Sequence, residues 1–374
     1  MIRFANAVES FRTSEIRDLM SVAIRPDVIS FAGGMPGNDL FPIEDIEEVY
    51  SSLSLSEKQA AFQYGPTPGY PQLLESLKEY LRQKGFDVEN NKLLITTGSL
   101  QALYILAKIF VNPGDTVITE NPAFIGALSA FRSFQAHLYG IELRADGINT
   151  DELRHFLATS AKEQIKFLYL TPNFHNPAGT LYSAACRHEV AAIAKEFELT
   201  IVEDDAYGEL YFEPTLREKV TPIKILHERD CTICYTGSFS KILGPGFRLG
   251  WLLAPPDVYK YAELCKQSID ACSPNYTQVL ADAFLEGVEG VVALADHQAA
   301  DAGVFVGHAH AAVIPGPGSA ISGVELIEDF AREIRPAELV EPLGVVLAEP
   351  VHLLFLFGGQ VGVVGGGARR EEVS

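Results

Sequence analysis

The chain has 374 residues, 47% of them hydrophobic and 21% charged, the balance of an ordered globular protein with room for one large domain and a smaller one. A formal net charge of -20 disfavours nucleic acid as a partner, because phosphate-backbone binding draws on clustered Lys and Arg. The opening residues, Met1-Ile2-Arg3-Phe4-Ala5-Asn6, carry no apolar leader and no apolar run is long enough to span a bilayer, so a cytoplasmic protein with no membrane partner is expected.

From Lys92 to Leu253, short apolar or β-branched runs alternate with helical patterns. The runs are Leu93–Thr96, Thr116–Thr119, Ile165–Thr171, Leu199–Val202, Thr232–Tyr235 and Leu249–Leu253. Largely apolar strands separated by helices predict a mostly parallel sheet covered on both faces, with ligands bound beyond the carboxyl ends of the strands. After the first strand, Thr96-Thr97-Gly98-Ser99-Leu100-Gln101 reads as a strand end, a small-residue turn and a helix start, with Ser99 placed as the N-cap. Leu103, Leu106 and Phe110 share a face of that helix, and its N-terminal amides suit an anion.

Two clusters follow later strands. Pro172-Asn173-Phe174-His175-Asn176-Pro177-Ala178-Gly179 is a turn-rich loop in which His175 is expected to fill space. Glu203-Asp204-Asp205 sets three adjacent carboxylates at the end of an apolar strand, costly unless a bound cation or a protonated heterocycle compensates. The segment Gly237–Arg248 is the most informative. It holds Lys241 among Ser238, Ser240 and glycines, with Arg248 seven positions on. A lysine amine with a depressed pKa condenses with a carbonyl, while serine hydroxyls and a planar guanidinium suit a phosphate. The five cysteines are sparse and odd in number, which disfavours a disulfide framework, and Cys231 and Cys234 are expected as buried strand thiols instead of metal ligands.

Together with Ser30–Pro36 and Gln63–Tyr70, these clusters resemble, in the same order, the fold-type I pyridoxal-phosphate enzymes, and among them the class I/II aminotransferases of the 2-aminoadipate and kynurenine type. The resemblance runs from about Phe11 to Glu286. It implies a three-layer α/β/α fold with a mostly parallel sheet plus a smaller α/β domain. The expected division is an N-terminal segment at 1–45, a large cofactor-binding domain at 46–286 and a C-terminal region at 287–374. The cofactor implied is pyridoxal 5'-phosphate, and the substrates are an amino acid and a 2-oxo acid exchanged by a ping-pong mechanism. Residue by residue, Lys241 matches the lysine bonded to the cofactor's aldehyde, and Asp204 the acid paired with its pyridine nitrogen. Asn176 and Tyr207 match the pair at its phenolic oxygen. Ser99, Leu100, Gln101, Ser238, Ser240 and Arg248 resemble the phosphate cup. Phe124 stands where the family usually stacks a tyrosine on the ring, and Tyr64 matches a residue that reaches the neighbouring subunit's phosphate, which implies a homodimer with shared sites. Arg17 and Gly34 match substrate-pocket positions, where the arginine meets an acidic substrate side chain.

From about Gly287 the composition changes: Lys, Asn, Tyr and Thr cease, and Ala, Val, Gly and His crowd in. The family's carboxylate-gripping arginine has no matching context at Arg332, Arg335, Arg369 or Arg370. A frame-shifted or decayed small domain is therefore expected, leaving Val351–Phe357 exposed; His297, His308, His310 and His352 lack the spacing of a metal site. The alternatives are a lyase or decarboxylase using the same cofactor, and a catalytically impaired cofactor-binding remnant. A third, a non-catalytic binding module like the aminotransferase-like domain of a transcription regulator, is disfavoured by the absence of a basic winged-helix segment ahead of the motifs.

Overall fold

The computed structural model describes residues 2–5, 7–8, 28–29, 41–211, 214–287, 352–357 and 360–365. Arg17, Gly34 and the tail's Arg332, Arg335, Arg369 and Arg370 lie outside them, as do His297, His308 and His310. The described residues fall into two compact units. The smaller is a three-stranded sheet in which β1 (Val28–Ile29) pairs parallel with β10 (His352–Phe357), and β10 pairs antiparallel with β11 (Gln360–Gly365). Most of the Val351–Phe357 run is thus the backbone of a paired central strand.

In the larger unit, β2 (Lys92–Thr96), β3 (Thr116–Asn121), β4 (His137–Arg144) and β5 (Gly147–Ile148) are followed by β6 (Ile165–Leu170), β7 (Thr200–Asp205), β8 (Ile233–Ser238) and β9 (Gly250–Ala254). They form one sheet in the order β2-β9-β8-β7-β6-β3-β4-β5. The run from β8 to β4 is parallel throughout, while β9 lies antiparallel to both of its neighbours. The mostly parallel, helix-covered sheet read from the sequence is the architecture observed. The unforeseen strands are the two-residue β5 and β4, whose sequence His-Leu-Tyr-Gly-Ile-Glu-Leu-Arg mixes charge and glycine because only Ile141 is fully buried.

Strand alternation sorts the core into layers. Leu94, Val117, Phe167, Val202, Cys234 and Leu252 face one way, against the helices Ser99–Phe110, Ile125–Arg132 and Pro256–Ile269. Their strand neighbours face the other way, into two clusters. Leu93, Ile95 and Trp251 pack against Pro71–Gln83 and Asn275–Gly287, while Ile118, Leu168 and Ile201 pack against Thr150–Thr159 and Ala184–Phe197. Each buried Leu or Ile contributes roughly 1.5–3 kcal/mol. This places rigid backbone under the loops at the carboxyl ends of β6, β7 and β8. Cys234 is buried in β8 and Cys231 is half-buried before it; burial pushes their thiols up to about 12 and about 11, into the inert range. No helix among the described residues is long and apolar enough to cross a membrane.

Candidate active site

The three carboxylates of β7 divide by alternation, which resolves the apparent repulsion. Glu203 turns to one face and accepts the backbone N–H groups of Ile223 (2.8 Å) and Lys224 (2.9 Å), at the first turn of the helix Ile223–His227. Asp205 turns the same way and accepts from Asn173 Nδ2, Tyr235 Oη and the Gly208 amide. Asp204 points to the opposite face, where Thr236 Oγ1 donates to Oδ1 at 2.8 Å and Tyr169 Oη to Oδ2 at 2.9 Å. Its carboxyl is 4% exposed, and no cation pairs with it among the described residues. Burial pushes it up to about 6, more than the two hydroxyl donors pull it down.

Beyond Asp204 the chain makes a turn that carries Tyr207. Asn176, on the loop after β6, donates from Nδ2 to Tyr207 Oη at 3.1 Å. Because the tyrosine oxygen is the acceptor, its own O–H and the second Asn176 N–H are left to converge on a third oxygen. Lys241 Nζ lies 5.5 Å from the centre of the Tyr207 ring. The lysine sits in a 3-10 turn, Phe239–Lys241, capped by Ser238 Oγ accepting the Ser240 amide at 3.1 Å. Burial lowers its amine below the ordinary lysine range, which raises the fraction of neutral, nucleophilic amine.

The turn expected to suit an anion follows β2. The N-cap of the helix Ser99–Phe110 is Gly98 and not Ser99, and no side chain caps the helix. Ser99 is instead the first helical residue, with its amide at the positive end of the dipole. Gly98 is required: its φ is +80°, and a Cβ there would come within 2.8 Å of Arg248 Nη2. Arg248 reaches over this turn, with Nη2 3.5 Å from the Thr97 carbonyl, from a backbone position of φ +52°. The Gln101 side chain does not face the cup. Its Oε1 accepts the Thr97 amide at 2.7 Å and its Nε2 donates to Asp270 Oδ2 at 2.6 Å, so it holds the turn from behind. Leu100 is exposed. Phe124, the N-cap of Ile125–Arg132, lays its ring over Gly126. Tyr64 is 87% exposed in the isolated chain.

His175 is buried, with Nδ1 accepting the Ala178 amide at 3.2 Å. Its Nε2 is 3.1 Å from Glu120 Oε2 but outside hydrogen-bond geometry. The sequence did not single out Tyr169, Thr236 and Asp270, which orient Asp204 and the phosphate turn. The signal was available: Tyr169 and Thr236 close the apolar runs of β6 and β8, where an inward hydroxyl needs a polar partner.

The aminotransferase class I and II family profile matches residues 27–319, extending past Gly287. The aromatic-amino-acid aminotransferase 1 of Thermococcus litoralis is 38% identical over 288 residues, 76% of this chain and 68% of that protein. The 2-aminoadipate transaminase of Thermus thermophilus is 34% identical over 284 residues, covering 76% and 69%. Among solved structures, the kynurenine aminotransferase of Pyrococcus horikoshii, determined with PMP and with kynurenine and kynurenic acid as substrate and product, superposes with a TM-score of 0.74 at 33% identity, over 79% of this chain and 73% of that one. A lysine, a buried aspartate and a helix terminus without a side-chain cap on one mostly parallel sheet, with sequence identity over three quarters of the chain, carry one conclusion: the chain belongs to the class I and II aminotransferases, enzymes that depend on pyridoxal 5'-phosphate.

Proposed function

We propose that this chain is a homodimeric, cytoplasmic aminotransferase whose active site is built on Lys241, Asp204, Tyr207 and Asn176. Its donors and acceptors would be the amino acids and 2-oxo acids with aromatic or 2-aminoadipate-type side chains for which its relatives are named. One observation carries the reading: Asp204 is buried and no cation pairs with it among the described residues, a position that suits the positive charge of a protonated pyridine nitrogen.

The donor set fits the cofactor at each of its polar groups. Asp204 would hold the ring nitrogen, Tyr207 and Asn176 the phenolic oxygen, and the Lys241 amine the aldehyde. The amides of Ser99 and Leu100, the hydroxyls of Ser238 and Ser240, and Arg248 would hold the phosphate, with Tyr64 of the partner subunit completing it; the Gln101 amide donates instead to the Gly98 carbonyl at 3.1 Å. Phe124 offers a ring face for stacking. When bound, pyridoxal phosphate supplies an aldehyde that takes up the substrate's amino group and a ring that withdraws the electrons released at the α-carbon. Asp204 would favour the protonated form of that ring's nitrogen, and the Lys241 amine, with its lowered pKa, would serve as the base that holds and moves the α-proton. Arg17 and Gly34 are proposed to line the substrate pocket.

The test is a single half-reaction. Holoenzyme mixed with phenylalanine or 2-aminoadipate, without an acceptor, should release one equivalent of 2-oxo acid per bound cofactor and then stop. Continuous turnover, or release of carbon dioxide, would overturn the reading in favour of a lyase or decarboxylase.

A further inference from the structure

Asp205 is adjacent in sequence to Asp204 but on the other face of β7, where no cofactor contact is expected. Its three hydrogen bonds join segments that are remote in sequence. Oδ1 accepts the Gly208 amide at 2.9 Å, one residue beyond Tyr207. Oδ2 accepts Asn173 Nδ2 at 3.1 Å, three residues before Asn176, and Tyr235 Oη at 3.0 Å from the neighbouring strand β8. Asn173 cannot rotate its amide to break this link, because Arg187 Nη2 donates to its Oδ1 at 2.7 Å while Nδ2 also donates to the Val220 carbonyl at 2.9 Å. Arg187 is itself buried and anchored on the carbonyls of Pro172 (3.2 Å) and Tyr182 (3.3 Å). Gly208 is held so close that a Cβ there would stand 2.5 Å from Asp205 Oδ1.

We infer that Asp205 is a positioning residue: it clamps the Asn173–Asn176 loop to the Tyr207–Gly208 turn and so fixes the 3.1 Å Asn176–Tyr207 pair that faces the cofactor's phenolic oxygen. Asp205 touches neither cofactor nor substrate. It acts through two donors whose aim depends on the relative placement of two loops, and a small misplacement of such groups is costly. The inference rests on the site assignment proposed above.

The test is Asp205→Asn, which keeps the shape but sets an amide donor against either the Asn173 amide or the Gly208 amide, so that one side of the clamp is lost. Two properties are read: the dissociation constant for pyridoxal phosphate by titration of the cofactor-free protein, and the pH midpoint of the bound cofactor's visible absorbance. Donors to the phenolic oxygen favour its anion, so loosening them should move the midpoint up by about one unit. It should also weaken cofactor binding about tenfold. In a Tyr207→Phe background the same substitution should move the midpoint less, because one of the two donors that the clamp positions is then gone. Should Asp205→Asn not fold, Asn173→Ala breaks the same link without altering β7, and the same shifts are expected. Unchanged affinity and midpoint would overturn the clamp, as would an equal shift in the Tyr207→Phe background. Failure of the site assignment is visible separately, in the parent protein, as borohydride attachment of the cofactor to a lysine other than Lys241.

Discussion

Replacing Asp204 by asparagine should strengthen the cofactor-free protein while disabling the enzyme. Burial lifts the Asp204 carboxyl from an ordinary value near 4 to about 6. Two pKa units correspond to roughly 3 kcal/mol of penalty on the ionised form at pH 7.5, falling to about 1 kcal/mol at pH 4.5, where the folded protein keeps its proton. Asparagine carries no such charge and can meet the Thr236 and Tyr169 hydroxyls, both of which can rotate to donate or accept. Thermal unfolding of the cofactor-free protein should therefore show Asp204→Asn melting several degrees above the parent at pH 7.5, with the gap narrowing at pH 4.5. The same variant, loaded with cofactor, should lose at least about thirtyfold in kcat/KM, since a buried charge partner contributes roughly 2–5 kcal/mol. A variant that is less stable than the parent at pH 7.5 and as active would refute the reasoning, making Asp204 a structural residue.

Gly98→Ala should raise the dissociation constant for pyridoxal phosphate about tenfold, because φ is +80° there and the new methyl would crowd Arg248 out of the cup; equilibrium dialysis measures it, and unchanged affinity would contradict the placement of the phosphate. Tyr64→Ala should leave the melting temperature of the cofactor-free protein nearly unchanged, given 87% exposure in the isolated chain, yet weaken cofactor binding about tenfold if the site is shared across a dimer. Equal affinity for parent and variant would remove the shared site. Burial also raises Glu203 to about 7, so between pH 4 and pH 7 the folded protein retains protons on Glu203 and Asp204 that the unfolded chain releases. Stability of the cofactor-free protein should fall as pH rises through that window, followed by chemical denaturation at fixed temperature; a rising curve would contradict it.

The parallel sheet was legible because β3, β6, β7 and β8 are buried on both faces and so read as unbroken apolar runs. Edge-side β4 was not, since solvent on one side lets His137, Glu142 and Arg144 into the strand. At the candidate site, the one-dimensional pattern singled out Lys241, Asp204 and Arg248 but did not show what their neighbours do. Three consecutive carboxylates looked like a single repulsive cluster, whereas period-two alternation sends Asp204 to one face and Glu203 and Asp205 to the other, each with its own donors. The Gln101 side chain, grouped by sequence with the phosphate cup, turns back to Asp270, a partner far away in the chain that no local pattern could announce. Ser99 fell one position inside the helix because Gly98, with its positive φ, makes the turn.

The central claim is that the Lys241 amine bonds to the cofactor's aldehyde, and its most direct measurement is borohydride reduction of the purified holoenzyme followed by peptide mapping. The predicted result is one pyridoxyl group per chain, on the peptide containing Lys241, and none in Lys241→Ala. A pyridoxyl group on any other lysine of the parent, or a Lys241→Ala variant that still traps the cofactor and transfers amino groups, would contradict it.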